Sequence, residues 1–164
     1  MTMTTEAITL GDAVNFISLE ADYLDHRDYA AWLALWADGG TYVIPIDPAA
    51  EDFADRLNYA YDDAAMRRMR VARLTNGESI SARDAAHTLR SLSRFRMLDA
   101  ATRDGTTRIR CAQHLVEYRR DRFRTYAANV TYTLRREGGE IRLVEKVVRL
   151  LNSTDALAGM SFLL

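Results

Sequence analysis

Apolar and polar positions recur with two different periods along this chain of 164 residues. In the first third the period is helical. Behind Asp12, a plausible N-cap, Ala13, Val14, Ile17, Ala21 and Leu24 follow at three- and four-residue steps, which predicts a helix to about Asp25 or His26. Asp28 can cap a second helix in which Tyr29, Trp32, Leu33 and Trp36 share a face, ended by Asp38-Gly39-Gly40. Thr41 to Ile46 reads as a short strand, with Pro45 suited to an edge or an end. Residues 49–61 show no firm period and are expected to be irregular or weakly helical. A third helix, capped by Asp62 or Asp63, is predicted with Met66 and Met69 inward, to about Ala72, and Thr75-Asn76-Gly77 reads as a turn.

The second half has a period of two. Ala86 to Met97 is a candidate strand with poor alternation, and Asp104-Gly105 a turn. In Thr107 to Tyr118, Ile109 and Cys111 alternate with Arg108 and Arg110. After the basic stretch Arg119 to Arg124, Ala128, Val130, Tyr132 and Leu134 alternate with Asn129, Thr131, Thr133 and Arg135. Glu137-Gly138-Gly139-Glu140 then marks a hairpin turn, and Ile141 to Leu151 pairs back. The apolar ending Met160-Ser161-Phe162-Leu163-Leu164 is expected to be packed in the domain or against a partner. Helices followed by long strands predict one α+β domain over 1–164, its N-terminal helices packed on a strongly curved antiparallel sheet. Such a sheet would form a cone with a pocket inside.

Composition narrows the possibilities. No apolar run approaches the roughly 20 residues that cross a bilayer, and no signal peptide is visible at the start, so a cytoplasmic protein with no membrane partner is expected. Cys111 is the single cysteine, which leaves no disulfide framework and no cysteine-cluster metal site within the chain. Charge is unevenly placed. Residues 1–82 carry 14 acidic and 6 basic side chains, a net −8, whereas residues 83–164 carry 9 acidic and 16 basic, a net +7. All the basic residues but Lys146 are arginine, the cation best suited to interfaces because its planar fork binds carboxylates bidentately. With a pI near 6.3 and no nucleic-acid-binding motif, nucleic acid is not an expected partner.

Candidate chemistry is sparse. His26, His87 and His114 are far apart in sequence and show no metal-ligand spacing. There is no glycine-rich phosphate loop and no nucleophile elbow. Cys111 lies on a predicted strand with inward phase, as a buried inert thiol does. Acid–base chemistry survives: in a cone, Asp25 at the end of the first helix, Tyr42 on the first strand and His87 on a later one could converge on the cavity. Alternatively, Asp25 pairs with Arg27 or caps nearby backbone, and His87 is an exposed strand residue.

Several phrases together resemble the small (beta) subunit of aromatic-ring-hydroxylating dioxygenases. Glu20-Ala21-Asp22-Tyr23-Leu24-Asp25 with Arg27, then Tyr29 to Asp38 (YAAWLALWAD) and Thr41-Tyr42-Val43-Ile44-Pro45, are similar to the opening of that family. Asp62-Asp63 before Arg70-Val71-Ala72-Arg73-Leu74, and the apolar ending, follow in the same order. The chain departs from the pattern at Asp84 to Arg90 (DAAHTLR), where the family's prolines and serine are missing and His87 is introduced. The resemblance implies a cone of the nuclear-transport-factor-like, or cystatin-like, type. It also implies no catalytic residue, cofactor or metal in this chain, because in that family the Rieske iron–sulfur cluster and the mononuclear iron sit in the large (alpha) subunit. The partners implied are that large subunit and further copies of the small one, as a homotrimer or other homo-oligomer in aromatic compound degradation. Within this reading Arg108, Arg110, Arg119 and Arg122 are the candidate interface residues. The alternative is a stand-alone, cofactor-free dehydratase, isomerase or cyclase using Asp25, Tyr42 and His87.

Overall fold

The computed structural model describes residues 6–76, 85–100, 102–155 and 162–164. Its elements run α1 (Leu10–Asp25), α2 (Tyr29–Ala34), β1 (Trp36–Pro45), β2 (Asn58–Asp62), α3 (Ala64–Thr75), β3 (His87–Asp99), β4 (Thr106–Arg119), β5 (Arg122–Glu137) and β6 (Glu140–Leu150). The cap of α1 is Thr9, three residues earlier than the expected Asp12. Thr9 accepts from the Asp12 backbone N–H at 3.1 Å while Asp12 accepts from the Thr9 N–H at 3.0 Å, a reciprocal capping box. Asp28 caps α2 as expected, through the Ala31 N–H.

The six strands lie in the order β2-β1-β6-β5-β4-β3. Pairing is antiparallel except between β1 and β6, which run parallel, so the sheet is mixed and not wholly antiparallel. β3, β4 and β5 form a meander with long registers, and β6 returns along β5. Register shifts at Ser93/Arg96 and Thr133/Leu134 mark irregularities, and Arg94 adopts positive φ within the first. Irregularities of this kind bend a strand and explain the poor alternation of 86–97. The helices cover one face, where Ile17, Trp32, Tyr42, Ile109, Tyr132, Leu143 and Leu164 join one core. On the opposite face Val43, Val147, Ala50 and Phe53 form a smaller cluster.

Three expectations are corrected. Trp36 does not extend the second helix but opens β1, and Gly39-Gly40 lies inside that strand. Gly40 is needed there for space. A Cβ would stand 3.0 Å from both the Leu143 carbonyl oxygen and the Trp36 ring. Residues 58–61, at the end of the stretch expected to be irregular or weakly helical, form with Asp62 the edge strand β2, and Asp63 is the cap of α3. On α3, Met66 and Met69 are half exposed and Arg67 is buried instead. The phase is set by two arginines: Arg70 forks onto Asp62 at 2.5 and 2.9 Å, and the Arg67 guanidinium lies 4.0 Å over the Trp36 ring while donating to the Gly40 carbonyl. Of the predicted turn Thr75-Asn76-Gly77, Thr75 ends the helix, Asn76 follows as its C-cap, and Gly77 lies outside the described residues.

Trp32 is fully buried, edge-on to Trp36 and Tyr42 at centroid distances of 5.4 and 6.0 Å. Replacement by alanine is expected to cost about 3–5 kcal/mol in urea unfolding. A cost below about 1 kcal/mol would place the ring at the surface.

Candidate functional site

The covered face of the sheet carries an ionic cluster in an otherwise apolar core. Tyr42, Lys146 and Tyr132 are register partners across β1, β6 and β5, so their side chains stand in one row. α1 lays Glu20 over that row, three residues beyond Ile17 on its buried face. Lys146 Nζ donates to Glu20 Oε1 at 2.6 Å, Trp32 Nε1 to the same oxygen at 2.9 Å, and Tyr132 Oη to Glu20 Oε2 at 3.3 Å. Both charged groups are completely buried. Removal from water pulls the Lys146 ammonium below its ordinary range, and the Glu20 carboxylate opposes that shift. Burial raises the phenols of Tyr42 and Tyr132 above their ordinary range.

Residues 162–164 complete the cluster. Lys146 Nζ donates to the Leu164 main-chain oxygen at 2.9 Å, and Tyr42 Oη to the same oxygen at 3.2 Å, while the Leu164 N–H donates back to Tyr42 Oη at 3.0 Å. Arg90 Nη2 donates to the Leu163 oxygen. The packed ending expected from the sequence is therefore present in residues 162–164, whereas Met160 and Ser161 lie outside the described residues.

The structure does not bring Asp25, Tyr42 and His87 together. Asp25 accepts from the Arg90 N–H at 2.8 Å and from Thr88 Oγ1 at 2.9 Å, and is paired with the Arg90 guanidinium. Arg27, the alternative partner, instead donates to the Ala86 carbonyl. Tyr42 is enclosed and engaged with Leu164. His87 is exposed at the start of β3, one residue from the inward-turned Thr88, so the strand's alternation sends it to the other side. Cys111 is buried, and desolvation pushes its thiol up to about 12, as an inert core thiol requires. No group of three potential metal ligands occurs among the described residues.

The four candidate interface arginines fall into two grooves. Arg108 and Arg110 line one of about 390 Å³ with Arg94, Arg149 and Glu51. Arg108 is half exposed there and pairs with Asp99 at 3.0 Å. Arg119 and Arg122 line a second, of about 380 Å³, with Arg120, Arg124 and Glu117 at the β4–β5 turn. Next to that turn Phe123 is 73% exposed and stacks on Tyr118, so arginine and open aromatic surface adjoin. This is the composition of protein–protein contact surfaces.

Helices on one face of a curved mixed sheet define the nuclear-transport-factor-like, cystatin-like cone. A protein of that description from Novosphingobium aromaticivorans aligns over 84% of this chain and 79% of its own with a TM-score of 0.54 at 18% identity. The beta subunit of benzoate 1,2-dioxygenase from Burkholderia mallei superposes more fully, over 96% of this chain and 99% of its own, with a TM-score of 0.79 at 20% identity. In sequence, the small oxygenase component of the p-cumate 2,3-dioxygenase system of Pseudomonas putida is 30% identical over 143 residues, 85% of this chain and 77% of that protein. Residues 19–155 match the family model described as ring hydroxylating beta subunit, and the chain belongs to that family.

Glu20 and Lys146 were not among the residues singled out for chemistry. Two signals carried them: a glutamate in phase with Ile17 and Leu24 on an apolar helix face, and the one lysine of the chain on the strand that pairs back.

Because an unpaired buried charge is worse than none, Glu20→Met or Lys146→Met alone is expected to cost about 3–5 kcal/mol, and the two changes together less than either single one. A double-mutant cycle in urea checks this; additive costs would show that the two charges are not coupled. The tyrosines give a pH test. A phenol whose pKa lies above its unfolded 10.0 keeps its full stabilising effect below pH 10 and loses it as pH rises further. Of the 8 tyrosines, Tyr42 and Tyr132 are expected to ionise only together with alkaline unfolding, read as a late step in absorbance at 295 nm that coincides with loss of circular dichroism. Complete titration of a still-folded chain would contradict their burial.

Proposed function

We propose that this chain, folding as one cytoplasmic domain over 1–164, is the non-catalytic structural subunit of an aromatic-ring-hydroxylating dioxygenase in aromatic compound degradation. It assembles with a large subunit that holds the Rieske cluster and the mononuclear iron, and with further copies of itself as a trimer. Family membership supports the assembly role. One structural observation supports the non-catalytic reading: the ionic cluster of the cone interior, Glu20, Lys146, Tyr42 and Tyr132, is closed on itself. Its titratable groups are bonded to one another and to residues 163–164, and the histidine that acid–base catalysis would need faces outward. What the chain offers outward is arginine beside open aromatic surface, suited to carboxylates on a neighbouring subunit. Such contacts fix register and partner choice more than they add raw affinity.

Co-expression with a Rieske-type large subunit is expected to yield one hetero-oligomer containing iron, with none retained by this chain alone. Separate migration of the two proteins at every salt concentration would reject the proposal. Within the complex, alanine at whichever of Arg108, Arg110, Arg119 and Arg122 forms a buried interfacial pair is expected to cost about 2–5 kcal/mol of assembly, and at a rim position little. Intact assembly after all four changes would remove the arginine interface.

A further inference from the structure

The face of the sheet that the helices leave open carries two patches of opposite charge side by side. One is the groove of about 390 Å³ that crosses β3 to β6, lined by Arg94, Arg108, Arg110 and Arg149 with Asn129 and Leu98. Of its guanidinium groups only that of Arg108 meets a carboxylate, Asp99. Arg94 donates to the Asn129 side-chain oxygen, and Arg149 to the main-chain oxygens of Pro48 and Ala50, all neutral acceptors. Arg110 makes no ion pair among the described residues. Arg94 is in the groove because of a backbone irregularity. Arg90 and Leu92 turn inward, and strict alternation would send Arg94 the same way. At the register shift between Ser93 and Arg96, Arg94 takes φ 53°, Phe95 packs on the core in its place, and the arginine is turned to the open face.

The other patch is the loop between β1 and β2. Asp47 is met by Arg56 at 3.0 Å, but the exposed carboxylates of Glu51, Asp52 and Asp55 form no ion pair among the described residues. Leu57, at the end of the loop, is 83% exposed. The loop is nonetheless held in one shape. Arg149 donates to the Pro48 and Ala50 oxygens at 3.2 and 2.7 Å and lies 5.5 Å over the Phe53 ring. Asn58 donates to the main-chain oxygens of Phe53 and Arg56, both at 2.9 Å. Glu51 stands in the wall of the groove, yet loop and groove do not pair with each other within the chain.

Two preformed patches of opposite sign that adjoin without closing on each other match the same two patches on another molecule. A partner of another kind would have to present both an acidic and a basic surface at this spacing, whereas a second copy does so by construction. We propose that residues 47–57 of one copy dock into the arginine groove of another copy of this chain, with Glu51, Asp52 and Asp55 facing Arg94 and Arg110. Both patches are in place beforehand, which lowers the cost of ordering them on contact. The inference rests on the self-association proposed above and names the surfaces that make it.

The test measures self-association of the full chain by sedimentation over a concentration series. Arg94→Glu with Arg110→Glu reverses one patch, and Glu51→Lys with Asp55→Lys the other. Each pair of changes sets like charges against each other and is expected to weaken association by about tenfold or more. All four changes in one chain are expected to restore it, because the exchanged patches match again. Arg149, which straps the loop, is left alone, and circular dichroism checks that each variant keeps its fold. A second readout preserves charge. Lys146, the one lysine of the chain, is fully buried, so Arg110→Lys introduces a single accessible side-chain amine. In a mixture of isotope-labelled and unlabelled chains, carbodiimide is expected to join that amine to a carboxylate of residues 47–57 across two copies; if a reversed variant unfolds, this cross-link decides. A chain that is monomeric at every concentration, reversed variants that associate as before, a fourfold variant that stays weak, or cross-links found only within one copy would each overturn the proposal. Its failure leaves union with a large subunit untouched, since that is read by co-expression, and failure of that union leaves this contact untouched, since it is measured on the chain alone.

Discussion

The bond between Glu20 and Lys146 is the constraint around which the other elements are placed. Two full charges at 2.6 Å with no exposed surface are tolerated only when every donor and acceptor around them is engaged. That condition fixes the height of α1 over the sheet, the orientation of Trp32, and the pairing of β6 between β1 and β5, since Tyr42 and Tyr132 must flank the ammonium. It also explains why residues 163–164 run where they do: the lysine needs a second acceptor, and the Leu164 oxygen supplies it. Specificity of arrangement is the gain, because an all-apolar interior of the same volume would accept several helix positions.

A second ionic group, on α3, follows the same logic at the other end of the sheet. Asp62 ends β2 and holds Arg70 by two bonds, while Arg67 covers Trp36. Arginine serves here as packing material. Its flat guanidinium stacks on an indole and still satisfies a carbonyl, which neither methionine of the helix could do.

Much of the architecture was legible because it rests on periodicity. The alternation of Ala128, Val130, Tyr132 and Leu134 places β5, the spacing of Ile17, Ala21 and Leu24 places α1, and the glycine pair at 138–139 places the last hairpin. The failures have physical causes. Trp36 fits the face of a preceding helix and the start of a strand equally, and only the pairing with Leu143 decides. The parallel match of β1 with β6 joins segments about a hundred residues apart and leaves no local trace. The inward face of α3 is arginine, which hydrophobicity alone reads as outward. The interior cluster escaped for a related reason: Glu20 and Lys146 are polar residues at apolar positions, visible only to a reader who asks what a charge is doing there. Asp25 and Tyr42 do lie near that cluster, but His87 falls on the wrong side of its strand.

The parallel match of β1 and β6 bears on how the chain is made. Trp36, Tyr42 and Val43 are among the first core residues to leave the ribosome, and their strand partners, Leu143, Lys146 and Val147, are among the last. Pairings between remote segments carry a large loop-closure entropy and form late. Until they form, one edge of β1 and the aromatic face beneath it stay open to any other strand nearby. Nascent copies translated close together are therefore most prone to wrong pairing during the interval before β6 emerges, and this single crossing sets the length of that interval.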